Sequence, residues 1–316
     1  MMNSGLDVVT FGETMVVFAP SERETLESTS AYHASIGGAE SNCAIGLARL
    51  GYSVSWVSRV GRDPFGARVL KTIRGEGVDV SRVEMCDSAP TGLMFKEPGP
   101  GNTTRVFYYR RQSAAAALRS EQFNSLSAKY LFVTGITPAL SDSNRKLTFD
   151  LVERFRAAGT KVAFDPNMRF RLWSPNEARV VFLELARNCD VLIPSLAEAE
   201  IMTGLTGAES MLDALLSLGP PQVVLKAGDK GAWYADGAEH GFCPCHSVPE
   251  IDPVGAGDAF CAGVLSGLLD GQSLREAVTR GAALGAFCVS TFGDYQGLPD
   301  RNGLKAFMEG TLIPGR

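Results

Sequence analysis

Short apolar runs alternate along this chain with longer segments of helical periodicity, and that alternation leaves few architectures open. The runs at 6–11, 53–60, 130–134, 161–164, 191–193 and 222–226 have the length and composition of buried strands. Helical patterns at 39–50, 64–76, 141–158, 175–188, 197–203 and 210–218 lie between them. Strand, helix and strand in repetition make βαβ units, and hence a parallel sheet with helices packed on it. The strand-like runs stop at Gly12, Gly135, Asp165, Pro194 and Gly228. Ligands of such sheets bind beyond the carboxyl ends of the strands, so a site is expected there. At 45% hydrophobic content, 316 residues can fill one large core, and no repeat or linker divides them.

Two stretches break the rhythm. Residues 91–112 read TGLMFKEPGPGNTTRVFYYRRQ, two strand-like runs around a Pro/Gly/Asn loop, which signals a hairpin. Residues 14–34 are also strand-like and too polar for a core. Together they are expected to form a small antiparallel sheet apart from the main one. An ordinary edge hairpin has the same signature; a sheet inserted between βα units also suits a lid that excludes water from a reaction. The expected organisation is one α/β domain over 1–316, with a small β-lid inserted from about 14–36 and 91–112. Val106 and Phe107 give that sheet an apolar edge. Such edges find partners, so a homo-oligomer joined through lid sheets is expected.

Composition closes off several function classes. Lys+Arg 30 against Asp+Glu 35 gives a net charge of −5, which speaks against nucleic acid or an anionic membrane as partner. No run of about 18 apolar residues occurs, so no membrane span is expected. The start, MMNSGLDVVTFGE, lacks a basic region followed by a long apolar run, and no signal peptide is expected. Seven scattered cysteines, an odd number, suit a reducing cytoplasm better than a disulfide framework. Cys243-Pro-Cys245-His246 has no second ligand cluster nearby and reads as a turn beside a strand. A Walker G-x-x-x-x-G-K-[ST], an H-R-D with D-F-G, and a strand-linked G-x-G-x-x-G are all missing. That sets aside P-loop enzymes, protein kinases and dinucleotide dehydrogenases.

The densest chemistry lies in Asp252-Pro-Val-Gly-Ala-Gly-Asp258-Ala-Phe-Cys-Ala-Gly263. Gly255, Ala256 and Gly257 open a helical pattern in which Phe260, Val264 and Leu268 recur every four residues. Small residues at a helix start leave backbone N–H groups free to hold an anion, and the helix dipole adds partial positive charge. A phosphoryl group suits such a site as its charge spreads in the transition state. Asp258, in the first turn, either complements the dipole or accepts a proton from a substrate hydroxyl.

The string D-x-x-G-A-G-D-x-F-x-x-G resembles the C-terminal signature of the ribokinase-like (PfkB) carbohydrate kinases. Ile36-Gly37-Gly38-Ala39-Glu40-Ser41-Asn42-Cys43-Ala44 resembles that family's N-terminal G-G-x-x-x-N-x-A, and lies more than 200 residues upstream in the expected order. The resemblance covers essentially the whole chain. It implies a ribokinase-like three-layer α/β sandwich with a central, mainly parallel sheet and a small β-sheet lid. It also implies phosphoryl transfer from ATP, with Mg²⁺, to a sugar. On this resemblance Asp258 is the base, and Gly255, Ala256 and Gly257 form the anion hole and touch ATP. Gly37, Gly38 and Asn42 are implied sugar contacts. Lys226, Gly228, Asp229 and Gly231 look like the family's K-x-G-x-x-G loop beside the nucleotide. Ser195 and Glu198 are similar to the family's N-x-x-E, with Ser195 in place of asparagine. Glu198 then shapes a water-mediated Mg²⁺ site, although the same pair also spells a capping box.

Within the family, Phe107-Tyr108-Tyr109-Arg110 and the Gly37–Glu40 opening resemble the subgroup that phosphorylates 2-keto-3-deoxygluconate. Tyr108 and Arg110, on one strand face, would stack on a sugar and grip a carboxylate. The same residues would also serve a solvated edge strand. Asp165-Pro-Asn167-Met-Arg169 looks like the subgroup's D-x-N-x-R, which implies Asn167 and Arg169 near the nucleotide and Arg169 near the substrate carboxylate. Met94 stands where the subgroup often has tyrosine. Asp294 either accepts from distal sugar hydroxyls or sits in a tight turn. The expected activity is ATP-dependent phosphorylation of 2-keto-3-deoxygluconate or 2-keto-3-deoxygalactonate to the 6-phosphate by a cytoplasmic enzyme. A kinase of a neutral sugar or nucleoside, and a non-catalytic sugar-binding regulator, are the alternatives.

Overall fold

The computed structural model describes residues 5–99 and 103–312; the hairpin tip at Pro100 and Gly101 and the four N-terminal residues lie outside them. In chain order the strands are β1 (Leu6–Phe11), β2 (Met15–Pro20), β3 (Tyr32–Gly37), β4 (Val54–Val57), β5 (Arg59–Gly61), β6 (Glu84–Cys86) and β7 (Leu93–Pro98). There follow β8 (Thr104–Tyr109), β9 (Ala128–Thr134), β10 (Lys161–Asp165), β11 (Val191–Leu192), β12 (Gln222–Lys226), β13 (Gly231–Asp236) and β14 (His240–Pro244). The helices are α1 (Ala39–Arg49), α2 (Pro64–Gly75), α3 (Asp142–Ala157), α4 (Pro175–Arg187), α5 (Leu196–Thr203) and α6 (Ala208–Leu216), then α7 (Ala256–Leu269), α8 (Leu274–Val289) and α9 (Arg301–Met308).

Eight strands form the main sheet in the order β14-β13-β12-β11-β10-β9-β1-β4. The pairs from β12 through β4 are parallel, and β13 and β14 close one edge in antiparallel fashion. Alternation along each strand splits the core into two layers. Val8, Tyr130 and Phe132 pack on one side with Ile45 of α1, Ile73 of α2 and Val264 of α7. Val9, Leu131 and Val133 pack on the other with Phe155 of α3, Phe182 of α4 and Leu215 of α6. Both faces are buried, which is why these strands read as unbroken apolar runs. Helix starts carry their own caps: the Asp63 side chain accepts from Gly66 N at the head of α2, and Ser273 with Glu276 makes a capping box on α8.

Four strands form a second, smaller sheet in the order β3-β2-β7-β8. It is mixed, not antiparallel as expected: β2 and β7 run parallel, Val16 opposite Leu93. The cause is the connection, since the chain passes through α1, β4, β5, α2 and β6 before it returns as β7. Met15, Val16 and Val17 are buried, so this stretch is less polar in effect than its composition implies. The run at 53–60 also breaks in two. β4 pairs with β1 and β5 with β6, and between them Ser58 Oγ donates to Gly12 O at 2.6 Å.

Candidate active site

The carboxyl ends of the main sheet, the N-terminus of α7 and the inner face of the small sheet enclose a cavity of about 480 Å³. Gly255 caps α7 with φ +86°, and a Cβ there would lie 2.1 Å from Asp294 O, so only glycine fits this turn. No side chain caps the helix. Its first N–H groups are therefore available to an anion. Gly257 and Asp258 line the cavity there, while Ala256 does not.

Asp258 is held from two directions. Asn42 Nδ2, in α1, donates to its Oδ2 at 2.8 Å, and Asn167 Nδ2, after β10, donates to its Oδ1 at 3.2 Å. Burial pushes its pKa up to about 6, against the lowering effects of the Asn42 bond and the Arg169 charge. A carboxylate poised near neutrality suits a general base. Asn167 adopts a left-handed φ of +42°, held because its amide also bonds Asp165 Oδ2 at 3.2 Å. Asn42 Oδ1 is buried and has no hydrogen-bond partner among the described residues, which leaves an acceptor beside Asp258.

The lysine expected to meet phosphate is already engaged. Lys226 Nζ lies 2.7 Å from Asp165 Oδ1. Burial works against its charge, yet Asp165 and Glu198 drive its pKa above the ordinary lysine range. It remains close to the α7 N-terminus, 3.8 Å from where a Cβ on Gly257 would stand. Gly228 lines the cavity, but Asp229 and Gly231 do not. Gly231 is needed for another reason: with φ +127°, a Cβ there would meet Cys243 O of β14 at 2.0 Å. That contact fixes the pairing of β13 with β14.

Glu198 makes the capping box that the sequence allows. Its Oε2 accepts from Ser195 N and its Oε1 from Met168 N, each at 2.7 Å, while its own N–H donates to Ser195 Oγ at 3.3 Å. It also lines the cavity with Ser195. Burial raises its pKa, but Lys226 and the backbone donors outweigh that, so the carboxyl sits below its usual range and is ionised. Among the described residues no three His, Cys, Asp or Glu side chains group as metal ligands. One ionised carboxylate suits a hard cation that keeps most of its waters, as Mg²⁺ does.

At the small-sheet end, Arg110 is not a free grip. Its Nη2 lies 2.5 Å from Glu13 Oε2, with both side chains buried, and Ser113 Oγ donates to the other Glu13 oxygen. The Arg110 guanidinium stands 5.5 Å from the Tyr108 ring centroid. Lys96 Nζ meets Asp294 Oδ1 at 2.6 Å, so Asp294 already holds a cation, and Gly37 leaves room for its other oxygen. Gly38, Met94, Tyr108 and Lys96 share this wall. Arg169 is different. It makes no ion pair among the described residues and bonds only the Asn167 and Met168 carbonyls, at 3.5 and 3.3 Å. Glu13, Lys96 and Glu40 were not foreseen. Glu40 is fully buried behind the site, and its Oε1 accepts from Thr134 and Thr137 hydroxyls at 2.6 and 2.8 Å.

The arrangement is a buried carboxylate beside a helix N-terminus, with cations at both ends, a set of groups suited to activating a hydroxyl against a phosphate. Similar chains exist. A 2-dehydro-3-deoxygluconokinase of Bacillus subtilis (strain 168) is 42% identical over 310 residues, covering 96% of this chain and 95% of its own. A 2-dehydro-3-deoxygalactonokinase of Haloferax volcanii is 34% identical over 294 residues, 91% of this chain and 92% of its own. Among solved structures, a PfkB protein from Polaromonas sp. JS666 has a TM-score of 0.87 at 39% identity, covering 96% of this chain and all of that one. Residues 6–301 match the pattern described as pfkB family carbohydrate kinase, and with it both the signature around Asp258 and the one around Asn42. The chain belongs to the pfkB family of carbohydrate kinases.

Proposed function

We propose that this enzyme transfers the γ-phosphoryl group of ATP to the terminal hydroxyl of a 2-keto-3-deoxy sugar acid, the gluconate or its galacto epimer, giving the 6-phosphate. The observation that carries the chemistry is Asp258, buried at the α7 N-terminus with both oxygens oriented by amides. Asp258 takes the proton of the terminal hydroxyl as that oxygen attacks the γ-phosphorus. The bond to the bridging oxygen breaks and ADP leaves. N–H groups at Gly257 and Asp258 face the charge that builds on the transferring group. Glu198 is the residue that would hold the water shell of Mg²⁺, which when bound neutralises phosphate charge.

Substrate class rests on Arg169, a cation in the cavity wall with no carboxylate partner, and on the identity to the Bacillus relative. One observation favours a neutral sugar instead: Arg110 is already neutralised by Glu13. A panel of sugar acids and neutral sugars with ATP decides between them. Preference for 2-keto-3-deoxygluconate over fructose and ribose supports the acid reading, and equal activity on all three overturns it.

The small sheet is read as a lid over the sugar. On its face away from the cavity Phe18, Phe95, Tyr32 and Tyr109 form a chain of ring contacts; Phe18 also packs on Phe65 of α2, while Tyr32 and Tyr109 are exposed, Tyr109 at 67%. That face suits a second copy of the chain, and sedimentation at micromolar concentration tests it: a dimer is expected and a monomer refutes it. All seven cysteines are free thiols, which suits work in the reducing cytoplasm.

A further inference from the structure

A second and larger cavity, about 1180 Å³, adjoins the first. The two share Val106, Tyr108, Arg110 and Arg169 as walls. Among the described residues, five arginines line the larger one, Arg105, Arg110, Arg111, Arg169 and Arg171, and no Asp or Glu does. In a chain of net charge −5 that bias is local. Two of the five are balanced from outside the cavity: Arg105 by Glu97 at 3.0 Å and Arg110 by Glu13. Arg111, Arg169 and Arg171 form no ion pair among the described residues. Arg171 lies 6.0 Å from the Tyr108 ring centroid, the same ring that Arg110 approaches, so its charge sits beside the wall between the cavities.

Arg169 belongs to the reaction cavity, but Arg111 and Arg171 line only the larger one. Like charges gathered in a cleft focus its field and raise the local concentration of the opposite ion. We infer that Arg111 and Arg171 form an anion-collecting vestibule, through which a carboxylate-bearing substrate is drawn to Arg169 and on to Asp258. This rests on the sugar-acid reading above. Such residues act on capture and not on the chemical step, so their loss falls on kcat/KM while kcat holds.

The test compares the full-length enzyme with the double variants Arg111→Ala/Arg171→Ala and Arg111→Glu/Arg171→Glu, using 2-keto-3-deoxygluconate and ATP at low and high salt. At low ionic strength the alanine pair is expected to lose about tenfold in kcat/KM and the glutamate pair more. The deficit shrinks as added salt shortens the range of the field. No loss in either pair, or a loss that salt leaves unchanged, overturns the vestibule while the substrate reading stands. A wild-type enzyme that phosphorylates fructose but no sugar acid takes down the substrate reading, and the vestibule with it.

Discussion

At the α7 end of the reaction cavity, Asp258 is held by Asn42 of α1 and by Asn167, just after β10. At the small-sheet end, charges are matched in pairs, Arg110 with Glu13 and Lys96 with Asp294. The first end serves a step shared by any sugar phosphorylation, and it is built on rigid elements. The second end is where the proposed function places the choice of sugar, and two of its cations are already neutralised inside the protein. Arg169 has no carboxylate partner among the described residues, and on the proposed function the discrimination falls on it. Two arginines that look equivalent in sequence therefore stand differently: Arg110 is paired with Glu13, and Arg169, which bonds only backbone carbonyls among the described residues, is the one proposed to meet the substrate.

Substitution at the α7 end has the largest expected effect. Asp258→Asn keeps the shape and both amide neighbours but removes the base. Its kcat should fall roughly 10²–10⁴-fold, with ATP affinity within a few-fold by equilibrium binding. Wild-type turnover in this variant would mean that the fixed end does not supply the base.

The two arginines come next, and they should part company. Arg169→Ala is expected to raise KM for the sugar acid by roughly 10–100-fold, the weight of one charge-assisted hydrogen bond, with little change in melting temperature. Arg110→Ala leaves Glu13 charged and buried without its partner. It should cost about 3–5 kcal/mol of stability in denaturant unfolding, more than any effect on KM would imply. If both variants shift KM alike and neither is destabilised, the distinction between them is lost.

How much of this was legible follows the same division. The α7 end is written in consecutive residues: Gly255 to Asp258 declare a helix start with a carboxylate in it, and Gly38 to Asn42 sit together on α1. The parallel strands announced themselves because both of their faces are buried. The small-sheet end depends on partners far apart in sequence. Glu13 and Arg110 are joined only by folding, as are Lys96 and Asp294, which lie 198 positions apart. Nothing in the local pattern at 91–112 says that Arg110 is already neutralised. The β13–β14 edge was missed because His240–Pro244 is short and mixes glycine and proline with its apolar residues. α8 carried a readable signal in Ser273 and Glu276, its capping box.

The smallest effect concerns Glu40, behind both ends. Burial holds its pKa up to about 7, against the hydroxyls of Thr134 and Thr137. A raised carboxyl pKa means that the fold favours the protonated form. That contribution is complete below the unfolded value near 4.5 and is lost as pH rises through about 7. Glu40→Gln removes the titration, so its melting temperature should gain a few degrees on wild type between acid and neutral pH. Parallel melting curves across that range would show that Glu40 is ionised at no cost.

The most direct test of a buried base at the α7 end is the pH dependence of kcat/KM for 2-keto-3-deoxygluconate. Asp258 must be ionised to accept a proton, and its pKa is held up to about 6. The rate constant should therefore be level above that value and fall about tenfold per pH unit below it. In Asp258→Asn the residual activity should lose this acid limb. A wild-type profile that stays level down to about pH 4.5, or an acid limb that survives in Asp258→Asn, would contradict the assignment of Asp258 as the base.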